Sequence, residues 1–198
     1  MKRLLLGLLV LCSVAVAQTG VVSVERSDVP FFATIPRGLG AIFNIEGRNT
    51  GSNPFTGRIV CTIFDNTTGT AVPADPSLIK LYKVQDSQEV LCEETAAGPG
   101  TACYIPSENG AVVKPGESIS GKIKVVTGFS CPTDKKFVLH CIMAYRTLDG
   151  NWKGIPTSVA TEEIYITLPT ADITIKLVQI VFFLAGAASL IYGLIGVI

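Results

Sequence analysis

Histidine is nearly absent from this sequence: His140 is the only one in 198 residues, and no two cysteines form a C-x-x-C pair. A zinc site built from clustered cysteine and histidine is therefore disfavoured. Ser118 and Ser120 lie near glycines in GESISG, but the segment is not G-x-S-x-G, and phosphate-cradling glycine loops are absent. We therefore expect no enzyme, no metal and no cofactor.

An excess of charge of either sign is also missing. The chain has 16 basic and 16 acidic residues, and charged residues make up only 16% of it. Nucleic-acid-binding domains carry a basic patch or stripe, and neither that nor basic residues interleaved with aromatics is found here. We expect no nucleic-acid partner.

Long apolar runs are present, and they lie at the two ends of the chain. The N-terminal segment MKRLLLGLLVLCSVAVAQTG has two basic residues, an apolar run, and small residues at Ala15 and Ala17. This order is typical of a secretory leader cleaved after a small residue. The sequence therefore predicts a signal peptide over residues 1–17.

At the other end, Leu177 to Ile198 form 22 residues without a charge. Because a bilayer core requires roughly 20 apolar residues in a helix, this length predicts a transmembrane helix over 177–198, joined by a short linker over 171–176. A lipid-anchor signal that is removed is the alternative, but ADITIK is a poor polar spacer for one. We expect a single-pass protein in a cell-surface or virion membrane, with residues 18–170 outside and no cytoplasmic tail.

Five cysteines follow the leader, and disulfides are the natural state of cysteines outside the cell. Cys92 and Cys103 flank a Gly/Pro-containing loop that a short bridge could close. Cys61 and Cys141 both lie mid-strand on apolar faces, which favours a bridge between packed strands and leaves Cys131 unpaired. A Cys131–Cys141 bridge that frees Cys61 is the main competitor. The unpaired thiol is either buried or joins two subunits.

Period-two alternation dominates between the two apolar ends, and helix-period patterns are nearly absent. In SISGKIKVV, for example, Ile119, Ile123 and Val125 share one face and lysines and serines the other. Turn signals such as NTGSNP, DNTTG and KPGES separate the strands, and Asp149-Gly150 predicts a two-residue hairpin. Eight or nine short strands of this kind indicate one antiparallel β-sandwich over residues 18–170.

The segment FNIEGRNTGSNPFTGRIVCTIFDN followed by VVKPGESISGKIKV resembles the immunoglobulin-like sandwiches of cell-surface adhesion proteins, in particular CARDB domains. The resemblance covers roughly residues 38–126. It implies a binding or scaffolding sandwich and no catalytic residue.

Two further features bear on function. Asn66-Thr67-Thr68 is a glycosylation sequon in a predicted turn, which makes Asn66 a candidate glycan acceptor. Ala185, Ser189 and Gly193 recur every four residues in the apolar C-terminal segment, and such small-residue stripes let helices pack closely in lipid.

These features together predict a membrane-anchored structural or adhesive surface protein that forms homo-oligomers through its transmembrane helix. Its expected partners are the lipid bilayer and a surface protein or glycan. One alternative is a subunit of a surface fibre or lattice, in which a strand such as VVSVER completes a neighbour's sheet. Another is an accessory factor of a membrane-bound enzyme.

Overall fold

A computed structural model describes residues 18–27, 34–94, 101–168, 178–179 and 181–183. Most of the described residues lie in strands. Its strands are β1 (Gly20–Arg26), β2 (Thr34–Pro36), β3 (Gly40–Asn49), β4 (Phe55–Asp65), β5 (Val72–Pro73), β6 (Ile79–Gln85), β7 (Gln88–Leu91), β8 (Glu93–Glu94), β9 (Thr101–Ile105), β10 (Ala111–Val113), β11 (Ser118–Thr127), β12 (Lys136–Arg146) and β13 (Trp152–Thr167).

These strands form two sheets that pack face to face, so the predicted β-sandwich is confirmed. The five-stranded sheet has the order β1-β3-β11-β6-β7. The eight-stranded sheet has the order β2-β13-β12-β4-β9-β8, and β5 and β10 pair with β4. Neighbouring strands are antiparallel except β2, which pairs in parallel with the end of β13.

Alternation along the strands places one face of each sheet in a shared core. In β11 the side chains of Ile119, Ile123 and Val125 are buried, as the sequence predicts. The core is filled from both sheets, by Phe43, Ile45, Leu81, Ile123 and Val125 on one side and Ile59, Cys61, Leu139, Cys141 and Met143 on the other. The two layers thus depend on each other for burial of their apolar faces.

Strand β13 is longer than the sequence indicates, because only its end, from about residue 162, alternates clearly. Its first half contains Gly154 and Pro156, which normally interrupt a strand. The register with β12 shifts between Ile142 and Ala144, and proline is tolerated at such a bulge. There the buried hydroxyl of Ser158 accepts a hydrogen bond from the Met143 amide at 3.0 Å and replaces a missing ladder bond.

The hairpin between β12 and β13 is present, but the prediction of a two-residue loop is wrong. The amide of Thr147 donates to the carbonyl of Asn151 at 2.8 Å, which leaves three residues, 148–150, in the loop. Gly150 has a φ of 83°, the left-handed conformation that three-residue hairpins require at this position.

Several predicted segments lie outside the described residues: the leader over 1–17, the linker over 171–176, and Ala185, Ser189 and Gly193. Of the segment 177–198, five residues are described, and they are helical. Within the described parts of the chain, no helix has the length and apolar character needed to cross a membrane.

Candidate functional site

Three of the cysteines lie side by side in the core face of the eight-stranded sheet. Cys61 in β4 is paired in register with Cys141 of β12 on one side and with Cys103 of β9 on the other. The Cys61 and Cys141 sulfurs are bonded, with Cα atoms 4.1 Å apart, and both residues are fully buried. This is the pair that the sequence favours, and it joins two neighbouring strands of one sheet.

A second disulfide joins Cys92 to Cys103, with Cα atoms 5.1 Å apart. Cys92 directly follows β7 of the five-stranded sheet, and Cys103 lies in β9 of the eight-stranded sheet. The chain crosses between the layers at Cys92, because β7 belongs to the five-stranded sheet and β8 to the eight-stranded sheet. This bridge fixes the two sheets to each other at one side of the sandwich.

Cys131 is the unpaired cysteine, and it is fully buried. Burial raises the pKa of its thiol, although Arg37 and Lys135 nearby act in the opposite direction. A buried thiol that resists ionisation is a poor nucleophile. In this fold Cys131 is therefore not accessible for a bond between subunits.

An arginine lies between two aromatic rings at the distal end of the eight-stranded sheet, which is the end that carries the β12–β13 hairpin. The guanidinium carbon of Arg58 in β4 lies 4.2 Å from the ring centre of Tyr104 and 4.0 Å from that of Trp152. Its Nη1 also donates to the carbonyl of Glu108 at 2.6 Å. The side chain is only 9% exposed, and this burial lowers the pKa of Arg58.

This stack joins β9, β4 and β13 across the outer face of the sheet, and it is absent from the sequence-based prediction. Its three residues lie far apart in the chain, and no local spacing relates them. The only indication in the sequence is a single arginine, Arg58, in the mostly apolar strand segment GRIVCTIF.

The outer faces of the two sheets differ in chemistry. On the eight-stranded sheet, the outward side chains of β4 and β12 are mostly apolar and half-buried, namely Val60, Phe64, Val138, His140 and Ile142. His140 packs edge-on against Phe64, with ring centres 5.7 Å apart. Its environment is that of a packed structural side chain.

The five-stranded sheet presents an exposed polar outer face. A shallow cavity of about 300 Å³ lies on this face, lined by Ser23, Glu25, Asn44, Glu46, Ser120 and Lys122. The serines of SISGKIKVV are exposed here, as predicted. Among the described residues no group of three or more His, Cys, Asp or Glu side chains is arranged to hold a metal ion.

The edge strand β7 carries two exposed apolar side chains, Val90 and Leu91. Among the strands that the structure describes, β7 pairs only with β6. Val90 and Leu91 are 55% and 50% exposed, and β7 contains neither lysine nor proline, the residues that commonly protect sheet edges. A cavity of about 230 Å³ lies beside this edge, with Lys83, Tyr104 and Glu108 also in its wall.

Asn66 lies half exposed in a turn directly after β4. Its backbone amide donates to the carbonyl of Lys136 at 2.8 Å, and this bond leaves the side-chain amide uninvolved. Asp65 stabilises the turn, because its carboxylate accepts hydrogen bonds from the amide and hydroxyl of Thr67. The same carboxylate pairs with Lys135 at 2.5 Å. The sequon is thus in a turn, as predicted, and glycosylation of Asn66 stays a prediction.

No protein-family model and no curated protein sequence matches the chain. Similar folds occur among solved structures. The CARDB domain of a Pyrococcus furiosus protein has 10% identity and a TM-score of 0.40, with 77% of this chain and 96% of that one covered. The major pilin subunit of Bacillus cereus has 10% identity and a TM-score of 0.40, with 75% and 41% covered. AvmM, which catalyses macrocyclization in alchivemycin A biosynthesis, has 14% identity and a TM-score of 0.48, with 73% and 88% covered. At these identities the likeness is one of fold alone.

Proposed function

We propose that this chain is a membrane-anchored surface protein that presents a disulfide-stabilised β-sandwich as a structural or adhesive element. The observation that carries the proposal is the pair of disulfides built into the sandwich, Cys61–Cys141 and Cys92–Cys103. Disulfides persist in oxidising compartments outside the cell. The apolar segments at the two ends of the sequence supply the route to such a compartment and the attachment there.

The proposed role is non-catalytic. The outer face of the eight-stranded sheet is packed with apolar side chains, and His140 is engaged with Phe64. The polar outer face of the other sheet is the surface we assign to contacts with a surface protein or glycan. Self-association is assigned to the apolar C-terminal segment, through Ala185, Ser189 and Gly193.

The anchoring is tested by extracting membranes that contain the full chain with alkaline carbonate and floating them on a density gradient. We expect the wild type to float with lipid. A variant with Phe182→Arg and Ala185→Arg should be released, since each arginine inside a span costs up to about 2.5–3.5 kcal/mol, the value at its centre.

The matched control carries Ser118→Arg and Ser120→Arg, the same added charge on the exposed face of β11. This control should float like the wild type. Release of the wild type itself by carbonate would refute the anchoring.

The self-association is tested by the particle mass of the protein in mild detergent without reductant. A mass of several chains of 21.0 kDa each is expected. Leucine at Ala185, Ser189 and Gly193 should reduce it to one chain, because the bulkier residues keep helices apart. A wild-type particle of one chain would refute self-association.

A second candidate, a fibre or lattice subunit that assembles by strand addition, is favoured by the open edge of β7. The segment VVSVER pairs along its whole length with β3 of its own sheet, so donating it would require that it first leave β3. The edge of β7, where Val90 and Leu91 are exposed, could accept a strand from a neighbour without such a rearrangement.

The second candidate is tested with Val90→Lys, which places a charge on the edge as natural sheets do. If strand addition builds the assembly, the particles formed by this variant have a lower mass than those of the wild type. Val112→Lys, at an exposed valine of β10, is the control and should not change the size. Equal sizes for both variants and the wild type would rule strand addition out.

A further inference from the structure

Three exposed apolar side chains lie close together at the proximal end of the sandwich, where β13 finishes. They are Leu39, Phe129 and Leu168, with exposed fractions of 53%, 83% and 47%. We call them the proximal apolar patch. Contiguous exposed apolar side chains on a protein surface often mark a contact with another protein or with a membrane.

Contacts at this end join the three chain segments that carry these residues. The amide of Arg37 donates to the carbonyl of Thr167, next to Leu168, at 3.0 Å. The amide of Thr127 donates to the carbonyl of Leu39, also at 3.0 Å. The ring of Phe129 lies directly against Gly38, so closely that a Cβ there would be 2.2 Å from it. Gly38 has a φ of 74°, which favours glycine as well.

The patch is at the point from which the chain leads to its uncharged C-terminal segment. Leu168 is the last residue of the described sandwich, and Leu177 begins the apolar run nine residues later. Nine residues span at most about 30 Å when fully extended. If the run is inserted in a bilayer, the patch is therefore held within reach of the lipid headgroups.

The charges at this end are mixed. Lys80 and Lys136 are exposed there, and so are Asp75 and Asp134. Strong electrostatic attraction to an anionic surface is therefore not expected, and the apolar side chains are the feature that a partner would recognise. A bilayer interface accommodates apolar side chains at a depth of roughly 5–10 Å.

We propose that the proximal apolar patch contacts the lipid bilayer, so that the sandwich rests on the membrane with β13 leading into it. This inference rests on the proposed membrane anchoring and adds the surface and the orientation. It places the β12–β13 hairpin, with Leu148, away from the membrane. Strand β12 runs from the proximal end to the hairpin over the ten residue steps from Lys136 to Arg146. The hairpin is therefore about 33 Å from the proximal end of the sandwich.

The test uses the full chain in phosphatidylcholine vesicles with Phe129→Cys labelled by an environment-sensitive NBD dye. Leu148→Cys, at an exposed residue of the hairpin, is the matched control. Wild-type protein treated with the dye measures background labelling, which should be low because Cys131 is buried and the other described cysteines are bonded.

We expect blue-shifted emission from position 129 and several-fold stronger quenching there than at position 148 by lipids that carry a nitroxide near the headgroup. Replacing a quarter of the phosphatidylcholine by phosphatidylserine should leave this difference unchanged. Flotation of the same vesicles reports the anchoring independently.

Three outcomes would overturn the inference. Protein that floats but shows equal, weak quenching at both positions has a patch exposed to water, while the anchoring stands. A blue shift at position 129 without nitroxide quenching means that protein, such as a second copy, covers the patch. Protein that does not float refutes the anchoring and the inference together.

Discussion

The two sheets of this sandwich are built to the same alternating pattern but present opposite outer surfaces. On the five-stranded sheet the outward residues of β3 and β11 are polar and exposed, such as Asn44, Glu46 and Lys122. On the eight-stranded sheet the outward residues of β4 and β12, such as Val60 and Ile142, are apolar and half-buried. One outer face suits water, whereas the other is held together by packing among its own side chains.

The covalent bonds follow the same division. The Cys61–Cys141 bond lies within the eight-stranded sheet, and the Cys92–Cys103 bond attaches the five-stranded sheet to the eight-stranded one. The chain also leaves the sandwich from β13, which belongs to the eight-stranded sheet. This teaches that the eight-stranded sheet is the stabilised layer and connects to the proposed anchor, while the five-stranded sheet offers a polar surface and, among the described strands, ends in β1 and β7.

The largest expected effect comes from removing the disulfide inside the stabilised layer. Its two cysteines are 80 residues apart in sequence, whereas Cys92 and Cys103 are 11 apart. Loop-closure entropy then predicts that Cys61→Ala/Cys141→Ala lowers the free energy of unfolding by about 4.5 kcal/mol, and Cys92→Ala/Cys103→Ala by about 2.8 kcal/mol. Urea unfolding of the full chain in mild detergent, followed by circular dichroism, measures both.

Each double variant is the control for the other, since each removes one bridge and leaves no free partner thiol. A larger loss for the Cys92–Cys103 pair would mean that the contact between layers matters more than the bracing within one layer. The comparison between the sheets would then be wrong.

A smaller effect is expected at the outer surfaces. Arg58→Ala removes two ring contacts and a hydrogen bond to the Glu108 carbonyl, and should lower the free energy of unfolding by about 1–3 kcal/mol. Lys122→Ala, on the exposed face of the other sheet, should change it by less than about 0.5 kcal/mol. The same urea titration compares them, and equal losses would remove the distinction between the outer faces.

The smallest expected effect is on the pH dependence of stability, and it comes from Asp65 at the proximal end. Burial raises the pKa of Asp65, but hydrogen bonds from Lys135 and Thr67 outweigh it and leave the pKa below its ordinary value. A depressed carboxyl pKa contributes stability above the unfolded-state pKa, and this contribution is lost as pH falls through the folded-state pKa. Asp65→Asn should therefore narrow the difference in melting temperature between pH 7 and pH 3.

Asp75→Asn is the matched comparison. Hydrogen bonds from Ser77, first of all from its backbone amide, lower the pKa of Asp75, which lies in the exposed loop between β5 and β6. Its pH effect should have the same sign and be smaller, because no lysine contact contributes to its shift. A larger effect for Asp75 would show that the Lys135 pair adds little.

Long strands with regular alternation were predictable, as β3, β11 and β12 demonstrate, because one buried face imposes a period of two on the sequence. The short strands β2, β5, β7, β8 and β10 were not predicted. A strand such as β7, with residues QEVL, has too few positions to show a period and exists because β6 offers it a partner. The parallel pairing of β2 with β13 has no local signal at all.

The functional surfaces divide in the same way. The exposed serines of β11 and the sequon turn follow from nearby residues. The stack of Arg58 between Tyr104 and Trp152, the open edge of β7 and the proximal apolar patch join residues that are distant in the chain, so only the folded structure reveals them.

By itself, the sequence determined a β-rich domain with cysteines suited to an oxidising compartment and an uncharged apolar segment at its C-terminal end. These properties depend on composition and on near-neighbour spacing, which folding does not alter. The tertiary structure decided which sulfurs meet, because Cys61 lies between Cys103 and Cys141 in one row across three strands. Register across strands places residues side by side regardless of their separation in the chain, so which strands become neighbours is settled only when the sheet forms.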